Sequence, residues 1–302
     1  MPMHQPTLFG TPPAEAAFNV YHDESGFYRP GSGSRWLLHG VLFVPASQQT
    51  QIVTLLQQIR QENAYFDEIH FVNLRRSVYG PKPQCARQWL QTFVSEIASR
   101  CYYYCLAVDT QSPGFQAERF PEPYHVYNYF ARTAIIAGIA WSLSNYERVA
   151  LRLHSDKKAR AAGDNFATYL PRQVSQEIAS RRAKRPAAYP QTRMLAPNVV
   201  PIGSNPAWAA DEQKEACELI QLVDLVTSGF RQALTANSGQ RAKVVLAELI
   251  ARWVEDTRRP PWLQTEELHR RFSVSCFPNR HGDFHDPALA IQQINQLSLF
   301  DP

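Results

Sequence analysis

The sequence predicts an α/β fold built in layers around a mixed sheet, and three observations carry that expectation. Short apolar segments of strand character come first and are then interleaved with longer segments of helical period, the order expected of helices packed on a sheet. The chain has 302 residues, of which 44% are hydrophobic, enough to bury a sizeable core and too apolar for wholesale disorder. Acidic residues stand at the ends of two of the apolar segments, where ligands bind in open α/β sheets.

The elements follow in order. Residues 1–14, rich in Pro, Thr and Gly, read as a flexible lead-in. Residues 17–23 form an apolar strand that stops at Asp23-Glu24-Ser25-Gly26, where Gly26 supplies the freedom a turn needs. A second strand covers 36–44 and ends at Pro45. Ile52, Leu55, Leu56 and Ile59 recur at helical spacing within 48–62. Glu68 to Leu74 alternates like a short strand, 84–100 reads as a helix, and 101–109 is an aromatic strand. A long apolar helix over 123–144 leads to 147–155, where Val149, Leu151 and Leu153 alternate with Arg152 and His154. That is a strand signal, and Asp156 stands at its C-terminal end.

A basic helix of about 164–184 precedes a Pro-rich stretch and the apolar 198–202. Two further helices cover 210–234 and 240–256. After Pro260-Pro261 come a loop over 278–287, a short helix and an apolar terminus. The organisation reads as a lead-in over 1–15, one domain over 16–286 with a helical insertion at about 157–210 and a C-terminal helical extension, and a tail over 287–302. There is no internal repeat.

Composition narrows the setting. No apolar run reaches the length of a membrane span, and the N-terminus lacks the basic start and apolar stretch of a signal peptide. A soluble cytoplasmic protein is expected. Cys85, Cys101, Cys105, Cys217 and Cys276 are odd in number, scattered and without a Cys-x-x-Cys pair, which points to reduced thiols in or near the core. A formal charge of +4 proves nothing alone, but the cations cluster. Arg172, Arg181, Arg182, Lys184 and Arg185 form one group, and Lys157 and Lys158 follow Asp156. Arg258, Arg259, Arg270 and Arg271 come later. Such groups neutralise phosphates or simply solvate a helix face. His281 and His285 are four apart, but Gly282 and nearby prolines oppose a shared helical face, and no His-Glu-x-x-His frame exists.

Three acids stand where folding alone would not put them. Asp23 and Asp156 each finish an apolar strand. Asp224 lies within Glu218-Leu219-Ile220-Gln221-Leu222-Val223-Asp224-Leu225-Val226, a helix apolar on nearly every side. A carboxylate there needs a donor or a cation to offset its desolvation. Asp23 can also serve as a turn residue, Asp156 as a solvated strand end, and Asp224 as a partner for an arginine. His22, next to Asp23, points to the opposite sheet face and reads as packing.

Tyr21-His22-Asp23-Glu24-Ser25-Gly26, then Glu68-Ile69-His70-Phe71, then Asp156, then Leu219 to Val226 occur in that order. The set resembles a large family of bacterial and phage proteins of uncharacterised function. They share an N-terminal Asp-Glu-Ser-Gly motif and a Leu-Gln-Leu-Ala-Asp-Leu helix, and are assigned to the ribonuclease H-like superfamily. The resemblance covers about residues 16–235; Val223 stands where Ala is usual, and a long basic segment separates Asp156 from Asp224.

The resemblance implies a ribonuclease H-like three-layer fold with a central mixed sheet and, in this chain, extra C-terminal helices. Asp23 would come from the first strand, Asp156 from a later strand and Asp224 from the closing helix. Glu24, Glu68 and His70 would supply a further ligand or move protons, and no residue stands out as a fourth acid. Hard oxygen ligands select Mg²⁺ or Mn²⁺. Two such ions roughly 3.5–4 Å apart activate water and stabilise the leaving oxygen in phosphodiester hydrolysis. Without metal, the carboxylates repel one another and some pKa values rise.

Gln296-Leu297-Ser298-Leu299-Phe300 resembles the peptide that binds the bacterial sliding clamp, in which Leu and Phe anchor in an apolar pocket. Gln5-Pro6-Thr7-Leu8-Phe9 is a weaker variant, with Pro6 in place of Leu. The alternative is that these apolar ends fold back onto the domain. The leading expectation is therefore a clamp-recruited, metal-dependent nuclease acting on DNA or RNA, with no membrane partner. A non-catalytic clamp- or nucleic-acid-binding adaptor on the same scaffold is the alternative. Metal at the three aspartates favours the enzyme, and a Lys or Arg filling the site favours the adaptor. Strand transfer ranks third, because no DNA-end-recognition domain is evident.

Overall fold

The computed structural model describes residues 15–31, 34–158, 161–256 and 271–278. Strands β1 (Ala16–Ser25), β2 (Trp36–Pro45) and β3 (Tyr102–Asp109) pair antiparallel in sequence, with Asp23 opposite Gly40. Helices α1 (Gln49–Glu62) and α2 (Pro81–Ser95) fill the connection from β2 to β3. Helix α3 (Pro123–Ser142) then returns the chain to β4 (Arg148–Asp156), which runs parallel to β1. Helix α4 (Phe166–Lys184) leads to β5 (Gln191–Met194) and β6 (Val200–Ile202), both parallel to β4 along its outer edge. Helices α5 (Lys214–Thr235) and α6 (Arg241–Asp256) follow, and β7 (Phe272–Phe277) lies parallel to β3. The protein is α/β, with a mixed seven-stranded sheet in the order β5-β4-β1-β2-β3-β7 and β6 beside β4.

Alternation along the strands makes three layers. In β1, Phe18 and Val20 enter the core under α3 and α4, whereas Tyr21 enters the core under α1, α2, α5 and α6. Helix α5 is buried on almost every side, because it is sandwiched between the sheet and its helical neighbours. It lies unusually close to β2. A Cβ on Gly40 would stand 1.9 Å from Thr227 Oγ1, and Thr227 instead hydrogen-bonds to Tyr103 across that gap at 2.9 Å. Gly26 has φ +89° and its backbone is overlain by Trp36 O, so the turn after β1 requires glycine.

Several expectations need correction. Strand β1 continues to Ser25, so Asp23 lies inside the strand and not at its stop. Segment 68–74 is no strand; it contains a 3-10 turn at Phe71–Asn73. Side chains of α5 take its amides: Ile69 N–H donates to Gln221 Oε1 at 2.6 Å and Phe71 N–H to Asp224 Oδ2 at 2.8 Å. Those donors are lost to any strand ladder. Helix α2 ends at Ser95 and a 3-10 turn, Ile97–Ser99, precedes β3. The segment expected as a helical insertion also carries β5 and β6, and β7 was not anticipated.

All five cysteines are free and buried, and burial pushes the thiols of Cys85, Cys101 and Cys105 up to about 12. Among the described residues no helix is long and apolar enough to cross a membrane.

Candidate functional site

The parallel pairing of β1 with β4 ends at His22 opposite Ser155, so Asp23, still paired with β2, and Asp156 come next to each other near the carboxyl ends of the two strands. Asp23 is buried on the α5 face. Glu24, the next residue, points to the α3 face, where its Oε2 accepts from Tyr127 at 3.0 Å. The chain then leaves β4, with Lys157 N–H donating to Ile202 O at 2.8 Å, and Lys158 turns back over the strand ends. Its Nζ lies 2.9 Å from Asp23 Oδ1, contacts Glu24 Oε1 and stands 3.8 Å from Asp156 Oδ2. One ammonium therefore joins acids from both faces of the sheet.

Asp224 reaches the same cluster from α5, and its charge is felt by both Asp23 and Asp156. It is 5% exposed. Phe71 N–H donates to its Oδ2, and Ser228 Oγ lies 3.0 Å from both its Oδ1 and Ser25 Oγ, which ties α5 to the end of β1. His70 Nδ1 stands 3.4 Å from Asp224 Oδ2 and accepts Val72 N–H at 3.2 Å.

The loop bearing His70 is held by buried Arg60. Its guanidinium donates to Glu218 at 2.9 Å, Gln221 at 2.9 Å and Asp67 O at 2.8 Å, and stacks over Trp89. Gln221 passes this order on to Ile69.

Charge in the cluster is unbalanced. Asp23, Glu24 and Asp156 face one Lys158, and Asp224 adds its charge beside Asp23 and Asp156. Burial pushes Asp23 well above the usual carboxylate range; Lys158 opposes that shift, and the neighbouring acids reinforce it. Burial likewise raises Asp156 to about 6. For Glu24, burial also favours the neutral form, but the charge and hydrogen bond of Lys158 outweigh it and hold the carboxyl below its ordinary value. Burial works to lower Lys158, yet Asp23 and Glu24 overcome it and raise its pKa well above normal. The ammonium stays charged, while Asp23 and Asp156 hold a proton more readily than a free carboxyl does.

The donor set is all carboxylate oxygen, the chemistry of a hard-cation site, and the ammonium is a cation already standing on it. Among the described residues no three His, Cys, Asp or Glu side chains are arranged to hold one metal ion as they lie; Asp23 and Glu24 are in contact with Lys158 Nζ. The residues fit a divalent cation in type and charge, provided that Lys158 yields its place.

Sequence-based expectations fare unevenly. Asp23, Asp156, Asp224, Glu24 and His70 come together. Glu68 accepts from Ser204 Oγ, just after β6, through Oε1. Lys158, expected among the nucleic-acid contacts, is instead committed to the acids, whereas Lys157 is exposed beside them. Arg172 lies along α4, but Arg181, Arg182, Lys184 and Arg185 lie at its far end. Across the 19 residues from Phe166 to Lys184, a rise of 1.5 Å per residue puts this group roughly 22–27 Å from Phe166. Arg181 is there paired with Glu177 at 2.7 Å.

His22 packs as expected, stacked on His39 with Nε2 3.0 Å from His39 Nδ1. Gln5, Leu8, Phe9, Gln296, Leu297, Leu299 and Phe300 lie outside the described residues, as do His281 and His285. Sequence reasoning missed Tyr127, Ser228 and Arg60. Only Arg60 left a signal, an arginine on the apolar face of α1. No family model matches the chain, and neither the curated proteins nor the solved structures contain a match.

Proposed function

We propose that this protein is a metal-dependent nuclease of ribonuclease H-like fold. It would hydrolyse phosphodiester bonds with Mg²⁺ or Mn²⁺ held by Asp23, Asp156 and Asp224. The observation that carries the reading is the convergence of three acids, Asp23, Glu24 and Asp156, on the Lys158 ammonium near the carboxyl ends of β1 and β4, with Asp224 close enough to act on two of them. The order of the three aspartates supports it too: first strand, later strand and the helix after the sheet edge, as the sequence resemblance implied.

A divalent cation here would supply a water activated for attack and positive charge at the leaving oxygen. The chain's own residues do the rest. Phe71 N–H and Ser228 hold the Asp224 carboxylate in one orientation. Glu24 is held by Tyr127, which leaves its other oxygen directed at the cluster. His70, with Nδ1 beside both Val72 N and Asp224 Oδ2, is the group placed to exchange a proton with water or substrate next to Asp224.

The test is cleavage of single-stranded, duplex and hybrid substrates with Mg²⁺ or Mn²⁺. Activity should appear with metal, vanish with chelator, and fall about 1,000-fold or more in Asp23→Asn and Asp224→Asn, several kcal/mol of transition-state stabilisation. Cleavage intact in both variants, or absent from every substrate, overturns the reading.

A second reading, a non-catalytic adaptor that binds the clamp or nucleic acid, is favoured by the Lys158 ammonium standing among the acids. It predicts that Mg²⁺ raises neither melting temperature nor activity. Recruitment by the bacterial sliding clamp belongs to both readings and rests on the peptide 296–300. Deleting Leu297 to Phe300 should abolish binding to purified clamp, and undiminished binding refutes it.

A further inference from the structure

A cleft of about 230 Å³ opens beside the acid cluster, between the end of β4, the start of α4 and the strand β6. Two backbone bonds hold its walls: Lys157 N–H to Ile202 O at 2.8 Å and Val199 N–H to Ala167 O at 2.9 Å. Phe166, Ala167, Val199 and Pro201 make its apolar surface; Asp156 and Asp164 line it too, Asp164 accepting from Asn128 Nδ2 at 2.8 Å and Phe166 N–H at 3.0 Å. Lys157 stands at its rim, exposed and with no ion pair among the described residues.

We propose that this cleft holds one nucleotide of a single-stranded nucleic acid, with the base against Phe166, Val199 and Pro201 and the phosphate toward Lys157. The size decides in favour of one ring system. Pockets that enclose a whole drug-sized ligand run to roughly 300–1,000 Å³, so this one takes a base and sugar and leaves the rest of the strand outside. The chemistry decides the class. A flat apolar group joined to an anion is what apolar walls with one unpaired cation at the rim complement. Continuity decides the role: the nucleotide held here presents its phosphodiester link toward Asp156. A duplex could not enter, because its bases are paired and stacked. The inference rests on the nuclease reading and names the form of its substrate.

The experiment is calorimetric titration of the full chain in EDTA, so that no metal-dependent cleavage contributes. The probes are thymidine, inorganic phosphate, thymidine 5′-monophosphate, a thymidylate hexamer and a duplex of the same length. The monophosphate should bind more tightly than thymidine or phosphate, the hexamer at least tenfold more tightly than the monophosphate, and the duplex at least tenfold more weakly than the hexamer. Lys157→Ala should weaken the monophosphate and leave thymidine unchanged. Ala167→Trp fills the cleft from an exposed position and should weaken the hexamer at least tenfold without changing the melting temperature. Thr168→Trp, also exposed and lining the cleft, serves if Ala167→Trp alters the fold.

Wild-type hexamer affinity in the cleft-filling variant overturns the proposal. So does equal affinity for monophosphate and hexamer, which assigns the cleft to a free nucleotide, or equal affinity for hexamer and duplex. The two readings fail separately. Cleavage by the wild type with unaltered binding in Ala167→Trp sinks the cleft alone. Hexamer binding that Ala167→Trp destroys, in a protein that cleaves nothing, sinks the nuclease alone.

Discussion

Replacing Lys158 by Met keeps the aliphatic stem and deletes the charge that Asp23, Glu24 and Asp156 share. At an effective dielectric of about 20, unit charges about 4 Å apart attract by about 4 kcal/mol. Stripping a buried carboxylate of its partner costs about 3–5 kcal/mol by mutational measure. The two scales agree, so Lys158→Met should lose about 3–5 kcal/mol of folding stability at pH 8 in chelator. For a chain of this size that is a fall of roughly 10 °C in melting temperature.

The loss should shrink at pH 5, where protons replace the ammonium on the acids. It should also shrink on adding Mg²⁺ at pH 8, because a cation bound at 100 times its Kd returns about 2.7 kcal/mol. The assay is thermal melting at both pH values, with and without Mg²⁺. Melting within about 1 °C of the wild type at pH 8 would refute the view that Lys158 neutralises the cluster. A Lys158→Met protein indifferent to Mg²⁺ would refute the view that a divalent ion takes its place.

Three further outcomes follow. In metal-free protein, buried His39 and His154 have folded pKa values of about 4 against an ordinary 6.5. Each contributes up to about 3 kcal/mol that is complete above pH 6.5 and is lost as pH falls toward 4. Asp156, raised to about 6, has the opposite sign and regains up to about 3 kcal/mol over pH 6 to 4. Denaturant titrations from pH 7.5 to 4 should therefore fall more steeply in Asp156→Asn than in the wild type and less steeply in His154→Gln; curves parallel to the wild type would contradict this.

Arg60→Leu strands buried Glu218 and frees the loop of His70, at a cost of about 3–5 kcal/mol. The double variant Arg60→Leu/Glu218→Leu should recover part of that in denaturant melts, and no recovery argues against the pair. Gly40→Ala should lower stability by about 3 kcal/mol or more through overpacking. Thr227→Ala combined with it should relieve part of the loss, since Tyr103 OH would still stand 2.8 Å from the new Cβ; additive losses would show that the Thr227 hydroxyl is not an obstacle.

How far the molecule was legible in its sequence follows from which forces are local. Strands β2 and β4 and helix α5 announce themselves by period, because burial repeats every second residue or over every turn. Asp224 was legible for the same reason, as a charge where the pattern demanded an apolar residue. Segment 68–74 misled because its alternation is genuine, while the groups that claim its amides, Gln221 and Asp224, lie about 150 residues away. Strand β5 alternates only between exposed and half-buried positions, so it carries no burial signal. Lys158 resembled any other surface cation. Its tie to Asp23 depends on the turn after β4, which no periodicity reports.

The five buried thiols have a practical consequence. A maleimide reacts with a thiolate at the surface; here all five native sulfurs are enclosed, and burial keeps those of Cys85, Cys101 and Cys105 protonated. The wild-type chain is thus already a clean background for site-specific dyes. One new cysteine at exposed Ala167 would take a fluorophore beside the cleft and give an optical record of strands entering and leaving, with no native residue removed except that alanine.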